Sequence, residues 1–434
     1  MHAGRRILRT VLIAGSALGL TAGGTALALA SGPAQAATAC AAAWSSTAVY
    51  TAGLQASENG ANYTANWWTQ GNDPATSNGG PGSGQPWTSD GACAGGSGSS
   101  PSPSPSPTSS TGSGTGSASG LLFSPYKDVT INMNWNTDQM QSAVEGTAVP
   151  VVGSGSLVSQ YIPKLPAITV AFATGTCGSE TWGGVSGSSW AAENVPQLQS
   201  AGLNYVVSTG GEAGTFTCAS TSGMDSFIAR YASPHLVGID FDIEGGQSQS
   251  DIQNLVNAAV GAQSTYPNLQ FSFTIATLAA SDGSYGGVNS LGNEVVQAVK
   301  GSSLKNYVIN LMTMDFGSAS SGVCVVVSGA CEMGQSSIQA VTNLEHTYGI
   351  PAGKIAVTPM IGLNDNTAET FTAADVDTLT SYARSNGLAG LHFWSLDRDT
   401  PCATTTTYAS PTCNSVSGTT ALGYTNRFLS DLGI

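Results

Sequence analysis

The sequence predicts an α/β protein with a large (β/α)8 barrel, preceded by a small, disulfide-stapled, β-rich module. Three observations support this prediction. A stretch made almost wholly of Gly, Ser, Pro and Thr divides the 434-residue chain. A short segment before it is rich in aromatic residues and flanked by cysteines. After it, apolar runs typical of strands alternate with helical patterns. The chain is also too long for one ordinary domain.

The N-terminal segment, residues 1–36, is predicted to be a secretory signal peptide. It begins with Arg5, Arg6 and Arg9, continues with an apolar run, and ends in small residues around Ala36. The paired arginines also fit a twin-arginine signal, and the sequence does not decide between the two export routes. We therefore expect a secreted, extracellular protein. No other apolar stretch is long enough to span a bilayer, so no membrane association is expected.

The predicted mature chain is strongly acidic. Aspartate and glutamate number 26 against 12 lysines and arginines, and loss of the three N-terminal arginines takes the formal net charge from −14 to −17. Phosphate backbones would repel such a chain, which argues against a nucleic-acid partner. A monomer is expected.

All eight cysteines follow the predicted signal peptide, and their even number in a secreted chain indicates disulfides. Few histidines and the absence of any C-x-x-C pair argue against a zinc site. Sequential pairing is the simplest arrangement, although the sequence alone leaves the connectivity open. The predicted pairs are Cys40–Cys93, Cys177–Cys218, Cys324–Cys331 and Cys402–Cys413.

Residues 95–120 are predicted to be a linker, because Gly, Ser, Pro and Thr cannot bury enough apolar surface to fold. It separates a module at 37–94 from a domain at 121–434. In the module, adjacent Trp67 and Trp68 would point to opposite faces of a strand, so at least one indole is expected at the surface. An exposed indole suits stacking on a pyranose ring. Some of the module's other aromatic rings are expected to form its core.

The aromatic pattern of the module resembles the family 5/12 carbohydrate-binding modules. It comprises Trp44, Tyr50, Tyr63, Trp67-Trp68 and Trp87 at the spacing of that family. The resemblance implies binding of chitin, with Trp67 and Trp68 contributing the sugar-binding surface.

Eight strand–helix repeats are predicted in the large domain. A doubly wound sheet is the alternative, but no Gly-rich phosphate loop follows the first strand. The candidate strands are 129–133, 168–173, 205–208, 236–243, 270–277, 307–314, 355–361 and 390–395. The candidate helices are 191–201, 224–232, 250–262, 291–299, 336–348, 373–386 and 420–432.

The fourth candidate strand carries three carboxylates in alternation. Asp240, Asp242 and Glu244 point one way, and the apolar residues between them point towards the helices. The acids should therefore line the barrel and end at its mouth, where barrel enzymes place their chemistry. Crowded like charges raise at least one pKa, which keeps a carboxyl group protonated as an acid. A calcium site or a surface acidic cluster would explain the charge but not the apolar alternation.

This strand resembles the signature of the family 18 glycoside hydrolases, the chitinases. Ser208-Thr209-Gly210-Gly211 matches the family's S-x-G-G motif, and Phe393-Trp394 matches the tryptophan that floors the site of cleavage. The chain departs from the family where Val237-Gly238 precedes the acids. It departs again where Met314 replaces the usual tyrosine before Asp315. The hydroxyl of that tyrosine helps to hold the substrate acetamide in the family, and the Tyr126 hydroxyl could compensate for its loss. The resemblance implies that Met314, Asp315 and Tyr126 lie among the substrate-binding residues.

The resemblance implies a (β/α)8 TIM barrel that hydrolyses β-1,4 bonds of chitin and chito-oligosaccharides with retention, without a metal or cofactor. Glu244 would be the acid and base, Asp242 would stabilise the reacting acetamide, and Asp240 would tune Asp242. Trp394 would stack beneath the distorted sugar. Two alternatives remain open: an endo-β-N-acetylglucosaminidase acting on N-glycan cores, and a non-catalytic chitin lectin. The binding module argues against the first, and the presence of Glu244 against the second.

Overall fold

The computed structural model describes residues 38–46, 49–50, 55–66, 69–79, 85–93, 120–404 and 406–434. The predicted signal peptide, nearly all of the predicted linker, and Trp67 and Trp68 lie outside these residues. The domain boundaries therefore stay predictions. No helix in the described ranges is both long and apolar enough to cross a membrane.

The small module is a stapled β-structure with its own core. Cys40 and Cys93 form a disulfide that joins its two ends. Tyr50 packs edge-on against buried Trp87 with ring centroids 4.9 Å apart, and the Trp87 indole donates to the Asn72 carbonyl. Its strands are Val49–Tyr50 paired with Thr69–Gln70, and Gln55–Glu58, Ala61–Ala65 and Trp87–Ala92 in one antiparallel sheet. A core this small depends on its disulfide for stability.

In the described part of the large domain, eight parallel strands follow one another around a barrel. β1 is split into Leu122–Phe123 and Tyr126–Asp128. The others are β2 (Ala167–Thr176), β3 (Asn204–Gly210), β4 (Leu236–Ile243), β5 (Gln270–Ala276), β6 (Tyr307–Thr313), β7 (Ile355–Pro359) and β8 (Gly390–Leu391). The predicted fold class is confirmed, and sequence neighbours are neighbours in space, as in other barrels of this class.

The two segments of β1 join the last strand to the second. Leu122–Phe123 pairs with β8, and Tyr126–Asp128 pairs with β2. The prediction that residues 129–133 form the first strand is wrong. The Asp128 carboxylate accepts hydrogen bonds from the Thr130 N–H and hydroxyl at 2.9 and 2.7 Å, which turns the chain at the end of the strand. Val129 and Met133 are buried as anchors of the following loop, which explains their strand-like apolar spacing.

Among the residues that the structure describes, seven helices of more than one turn pack outside the strands. They are α1 (Gly187–Ala201), α2 (Thr221–Tyr231), α3 (Gln249–Ala262), α4 (Ser290–Gly301), α5 (Met333–Tyr348), α6 (Ala373–Asn386) and α7 (Gly423–Leu432). Between β1 and β2 the chain instead forms a hairpin, Gln141–Val144 with Thr147–Pro150, and a one-turn helix, Leu157–Gln160. Polar side chains such as Ser186, Ser220 and Asn289 cap helix starts by accepting backbone N–H groups.

Short strands and 3-10 helices lie within the loops. They are the strands Thr181–Trp182, Val185–Ser186, Phe216–Thr217, Val326–Val327, Ala330–Cys331, Gly362–Leu363 and Thr370–Phe371, and the 3-10 helices Ala352–Lys354 and Leu396–Arg398.

The core of the large domain lies between the strands and the helices. Phe241 of β4 is buried and packs beside Phe271 and Phe273 of β5, with ring centroids 6.3 and 5.3 Å away. Three disulfides hold the loops, and all pair in the predicted sequential order: Cys177–Cys218, Cys324–Cys331 and Cys402–Cys413.

Candidate active site

The three carboxylates of β4 lie along one face of the strand. Asp240 and Asp242 are buried inside the barrel, and Glu244 is exposed at its mouth, just beyond the end of β4. Ile239 and Phe241 are buried on the opposite face, towards the helices. The alternation seen in the sequence therefore directs the acids inward, as predicted.

Asp240 is held by four hydroxyl groups from three other strands. Its Oδ2 accepts from Ser208 Oγ at 2.6 Å and from the Tyr126 hydroxyl at 3.0 Å. Its Oδ1 accepts from Ser272 Oγ at 2.6 Å and Thr274 Oγ1 at 2.7 Å. Burial raises the pKa of Asp240, while these four donors stabilise its ionised form and oppose that rise.

The Tyr126 hydroxyl belongs to a polar layer that crosses the barrel. Asn310 Nδ2 donates to the Tyr126 hydroxyl at 3.0 Å and to Thr274 Oγ1 at 2.8 Å. The Asn310 amide oxygen in turn accepts from Thr358 Oγ1 at 2.9 Å. Tyr126 is buried, and the hydrogen bond from its hydroxyl supports Asp240 inside the barrel. Direct contact between Tyr126 and a substrate stays a prediction.

Asp242 lies between the other two acids in a contrasting environment. Among the described residues, its buried Oδ1 has no hydrogen-bond partner. Burial raises the pKa of Asp242 well above its ordinary value, and the nearby charges of Glu244 and Asp240 raise it further. Unpaired buried carboxyl oxygens are costly, so this atom is suited to a partner supplied by a ligand.

Glu244 has the properties of an acid catalyst. The surrounding protein reduces hydration of its carboxylate and, together with the negative charge of Glu212, raises the pKa of Glu244 to about 7. A hydrogen bond from the Glu212 N–H acts in the opposite direction. A carboxyl group with this pKa can both donate and accept a proton near neutral pH.

The S-T-G-G segment brings the end of β3 against β4. Gly210 and Gly211 have φ values of +87° and +83°, in the left-handed region that favours glycine. A Cβ atom on Gly210 would lie 2.1 Å from the Asp242 carbonyl oxygen, so no larger residue fits there. The Gly211 N–H donates to that oxygen at 3.1 Å.

Aromatic rings form one wall of the site. Trp394 follows β8, is half-buried, and stacks on Phe172 of β2 with centroids 5.6 Å apart. The ring centroid of Tyr126 lies 6.2 Å from that of Trp394. Phe172 was missed in the sequence, although an aromatic residue near the carboxyl end of a barrel strand could have drawn attention to it. Nearby His392 is buried, its ring bonds the Ser124 carbonyl, and burial lowers its pKa to about 4.

Asp315 and Met314 lie just beyond β6. Asp315 has φ of +50°, and its Oδ1 accepts the Asn366 N–H at 2.7 Å, which links the loops after β6 and β7. Burial raises the pKa of Asp315, and this backbone donor opposes the rise. Met314 is half-buried. Substrate binding by either residue stays a prediction, as it does for Trp67 and Trp68.

Known proteins resemble both the small module and the large domain. Residues 43–88 match the family model of carbohydrate-binding module family 5/12. The large domain shares its fold with the crystal structure of the catalytic domain of a hyperthermophilic chitinase from Pyrococcus furiosus. The TM-score is 0.54 at 21% identity, over 72% of this chain and 95% of that one.

Two curated relatives are similar in sequence. A probable bifunctional chitinase/lysozyme of Escherichia coli (strain K12) is 26% identical over 247 residues, covering 52% of this chain and 26% of that protein. Endochitinase 11 of Metarhizium anisopliae is 26% identical over 232 residues, covering 49% of this chain and 43% of that protein. The chain thus spans less than half the length of each relative. The resemblance to chitinases with a family 5/12 module is confirmed.

Proposed function

We propose that the protein is a secreted chitinase that hydrolyses β-1,4 bonds between N-acetylglucosamine units with retention of anomeric configuration. The observation that carries the proposal is that the three acids along β4 differ in hydrogen bonding and in burial. Asp240 is fully hydrogen-bonded, Asp242 is buried with an unpaired oxygen, and Glu244 is exposed with its pKa raised to about 7. The similarity to chitinases supports the same substrate class.

In the proposed reaction, Glu244 donates its proton to the glycosidic oxygen as the bond from the anomeric carbon to that oxygen breaks. The carbonyl oxygen of the substrate's own acetamide attacks the anomeric carbon and forms an oxazolinium ion, the substrate-assisted variant of retaining hydrolysis. Water then attacks the anomeric carbon, Glu244 takes its proton, and the acetamide is released. The two displacements together give retention.

Asp242 stabilises the intermediate in this scheme. Its unpaired Oδ1 accepts the acetamide N–H, and the positive charge of the oxazolinium favours the ionised form of Asp242 beside it. The hydroxyl groups around Asp240 stabilise its ionised form beneath Asp242. Trp394, supported by Phe172, offers a flat apolar surface for the sugar ring.

The small module is proposed to bind chitin through Trp67 and Trp68. Its match to family 5/12 modules supports this assignment. A separate module joined through the predicted linker would hold the enzyme near insoluble chitin at high local concentration. Extracellular action fits the four disulfides of the chain.

Three substrates given to the purified mature chain test the proposal. We expect soluble oligosaccharides from colloidal chitin and from an N-acetylglucosamine hexamer, and no release from a high-mannose N-glycan. Glu244→Gln is the matched control and should bind chitin without cutting it. Cleavage of the N-glycan alone would indicate an endo-β-N-acetylglucosaminidase, and chitin binding without cleavage by the wild type would indicate a lectin.

A further inference from the structure

Glu369 lies in the loop after β7, and its side chain is buried. Its Oε2 accepts the Phe316 N–H at 3.0 Å, and its Oε1 accepts the Gly317 N–H at 2.9 Å and the Asn366 side-chain amide at 2.5 Å. Burying a carboxylate is costly unless it is hydrogen-bonded, and hydrogen bonds to a charged acceptor are strong. Glu369 therefore holds the turn that follows Asp315 in the loop after β6.

The loop that carries Glu369 is closed by its own hydrogen bonds. The Asn364 N–H donates to the Glu369 carbonyl at 3.0 Å, and the Glu369 N–H donates to the Asn366 carbonyl at 2.8 Å. The Asn364 side chain donates to the carbonyl groups of Met360 and Gly362, each at 3.0 Å, which joins the loop to the end of β7. The Glu369 carboxylate thus has a fixed place relative to the barrel.

Asp315 begins the turn that Glu369 holds. Asp315 is exposed, whereas the next side chain, that of Phe316, is buried in the core. The φ values of Asp315 and Gly317 are +50° and +100°, and a left-handed conformation at a residue other than glycine persists only where neighbouring contacts hold it. Asn366 adds to these contacts, because its N–H donates to Asp315 Oδ1 at 2.7 Å and its side chain to the Gly317 carbonyl at 2.6 Å.

We propose that Glu369 is a positioning residue for Asp315, and that it acts by holding the backbone N–H groups of Phe316 and Gly317. Because Glu369 is buried and both of its carboxylate oxygens accept hydrogen bonds, it affects a bound sugar only through the turn that begins at Asp315. The consequence for hydrolysis rests on the proposed function, in which Asp315 binds substrate. The hydrogen bonds themselves do not depend on that function.

A double-mutant cycle tests whether Glu369 acts through Asp315. Glu369→Gln replaces one acceptor oxygen by an amide group, and we expect kcat/KM on a soluble hexamer to fall roughly 10-fold, mainly through a higher KM. Asp315→Gly removes the side chain and tolerates the positive φ. In that background Glu369→Gln should change kcat/KM by less than about 2-fold, because the side chain that it positions is gone. Losses that simply multiply in the double variant would overturn the proposal.

Asp399→Asn is the matched control. Asp399 is also a buried carboxylate that accepts two successive backbone N–H groups, those of Tyr424 at 3.0 Å and Thr425 at 2.7 Å, at the start of α7. Its replacement should lower the free energy of unfolding to a similar extent. The effect of Asp399→Asn on kcat/KM should be the same with Asp315 and with Asp315→Gly, so it separates positioning from general loss of stability.

A readout without activity separates this inference from the proposed function. Hydrogen exchange of the Phe316 and Gly317 amides should be at least about 10-fold faster in Glu369→Gln than in the wild type and unchanged in Asp399→Asn. Unchanged exchange in Glu369→Gln would overturn the inference, even in an enzyme that cuts the hexamer. Faster exchange in a protein that cuts no hexamer would support the positioning role and refute the proposed function alone.

Glu369→Asp keeps the test decisive if Glu369→Gln does not fold. The aspartate retains the charge but withdraws the carboxylate by one methylene group, which lengthens its hydrogen bonds to Phe316 and Gly317. It then replaces the glutamine variant in the cycle and in the exchange measurement. The same two results, multiplied losses with Asp315→Gly or unchanged amide exchange, would overturn the proposal.

Discussion

The hydroxyl of Tyr126 on β1 donates a hydrogen bond to Asp240 on β4 over 3.0 Å, although 114 residues separate them. The same carboxylate oxygen accepts from Ser208 on β3 at 2.6 Å. Ser272 and Thr274 of β5 donate to its other oxygen, so Asp240 is held by strands on both sides of β4. Because Asp240 lies directly below Asp242 on the strand, this bond connects the first strand to the acids of the site.

Removing the Tyr126 hydroxyl tests this connection. Tyr126→Phe leaves three donors on Asp240 and should cost about 1–2 kcal/mol of unfolding free energy. If Tyr126 acts through Asp240, kcat on a soluble hexamer falls by roughly 10-fold, equivalent to about 1.4 kcal/mol, while KM changes little. Steady-state kinetics and denaturant unfolding measure both effects. A rise in KM with kcat unchanged would instead favour direct binding of substrate by the Tyr126 hydroxyl.

Glu244→Gln should abolish most hydrolysis. The change preserves shape but removes the proton donor and acceptor that both chemical steps use, a contribution of about 10²–10⁴-fold. In the wild type, kcat/KM should fall as the pH rises through about 7, because the acid must be protonated and its pKa is raised to that value. Near wild-type turnover by the variant would refute the assignment of Glu244, and an unchanged denaturant-unfolding transition would confirm that the barrel is intact.

Asp242→Asn should impair catalysis more than binding. Its carboxylate faces a developing positive charge, so the interaction is stronger in the transition state than in the ground state. We expect kcat to fall on the order of 100-fold with little change in KM. A pure KM effect would contradict the role given to Asp242.

Deleting residues 37–94 should separate the two parts of the chain. The barrel has its own core, so kcat/KM on a soluble hexamer should stay nearly unchanged. The rate on crystalline chitin should fall, because the barrel loses its proximity to the surface. Trp67→Ala and Trp68→Ala in the full chain should mimic the deletion if these indoles bind sugar. Equal rates on crystalline chitin over a range of enzyme concentrations would assign the module another role.

The acid pattern was predictable from the sequence because strand periodicity alone determines which way side chains point. Asp240 and Asp242 face inward for that reason, and the alternating apolar residues supported the same reading. The start of the barrel was not predictable in the same way. Residues 129–133 have strand-like spacing, but an Asx turn at Asp128 ends the strand before them.

The periodicity of the sequence also could not predict contacts between residues that are far apart along the chain. The stacking of Phe172 on Trp394 joins β2 to the chain after β8, and it depends on how the barrel brings these ends together. The close approach of Gly210 and Gly211 to the Asp242 carbonyl oxygen depends likewise on the positive φ of these two glycines. Sequence spacing identified the motif containing those glycines but not the contact that they make.

The anomeric configuration of the first product tests the central claim most directly. Proton NMR recorded within the first minutes of hexamer hydrolysis, before mutarotation, distinguishes retention from inversion. We predict that the new reducing ends appear first as the β anomer, that Glu244→Gln forms none, and that mass spectrometry finds no covalent sugar–enzyme adduct. Initial formation of the α anomer, or a trapped adduct on a carboxylate of β4, would contradict the substrate-assisted mechanism.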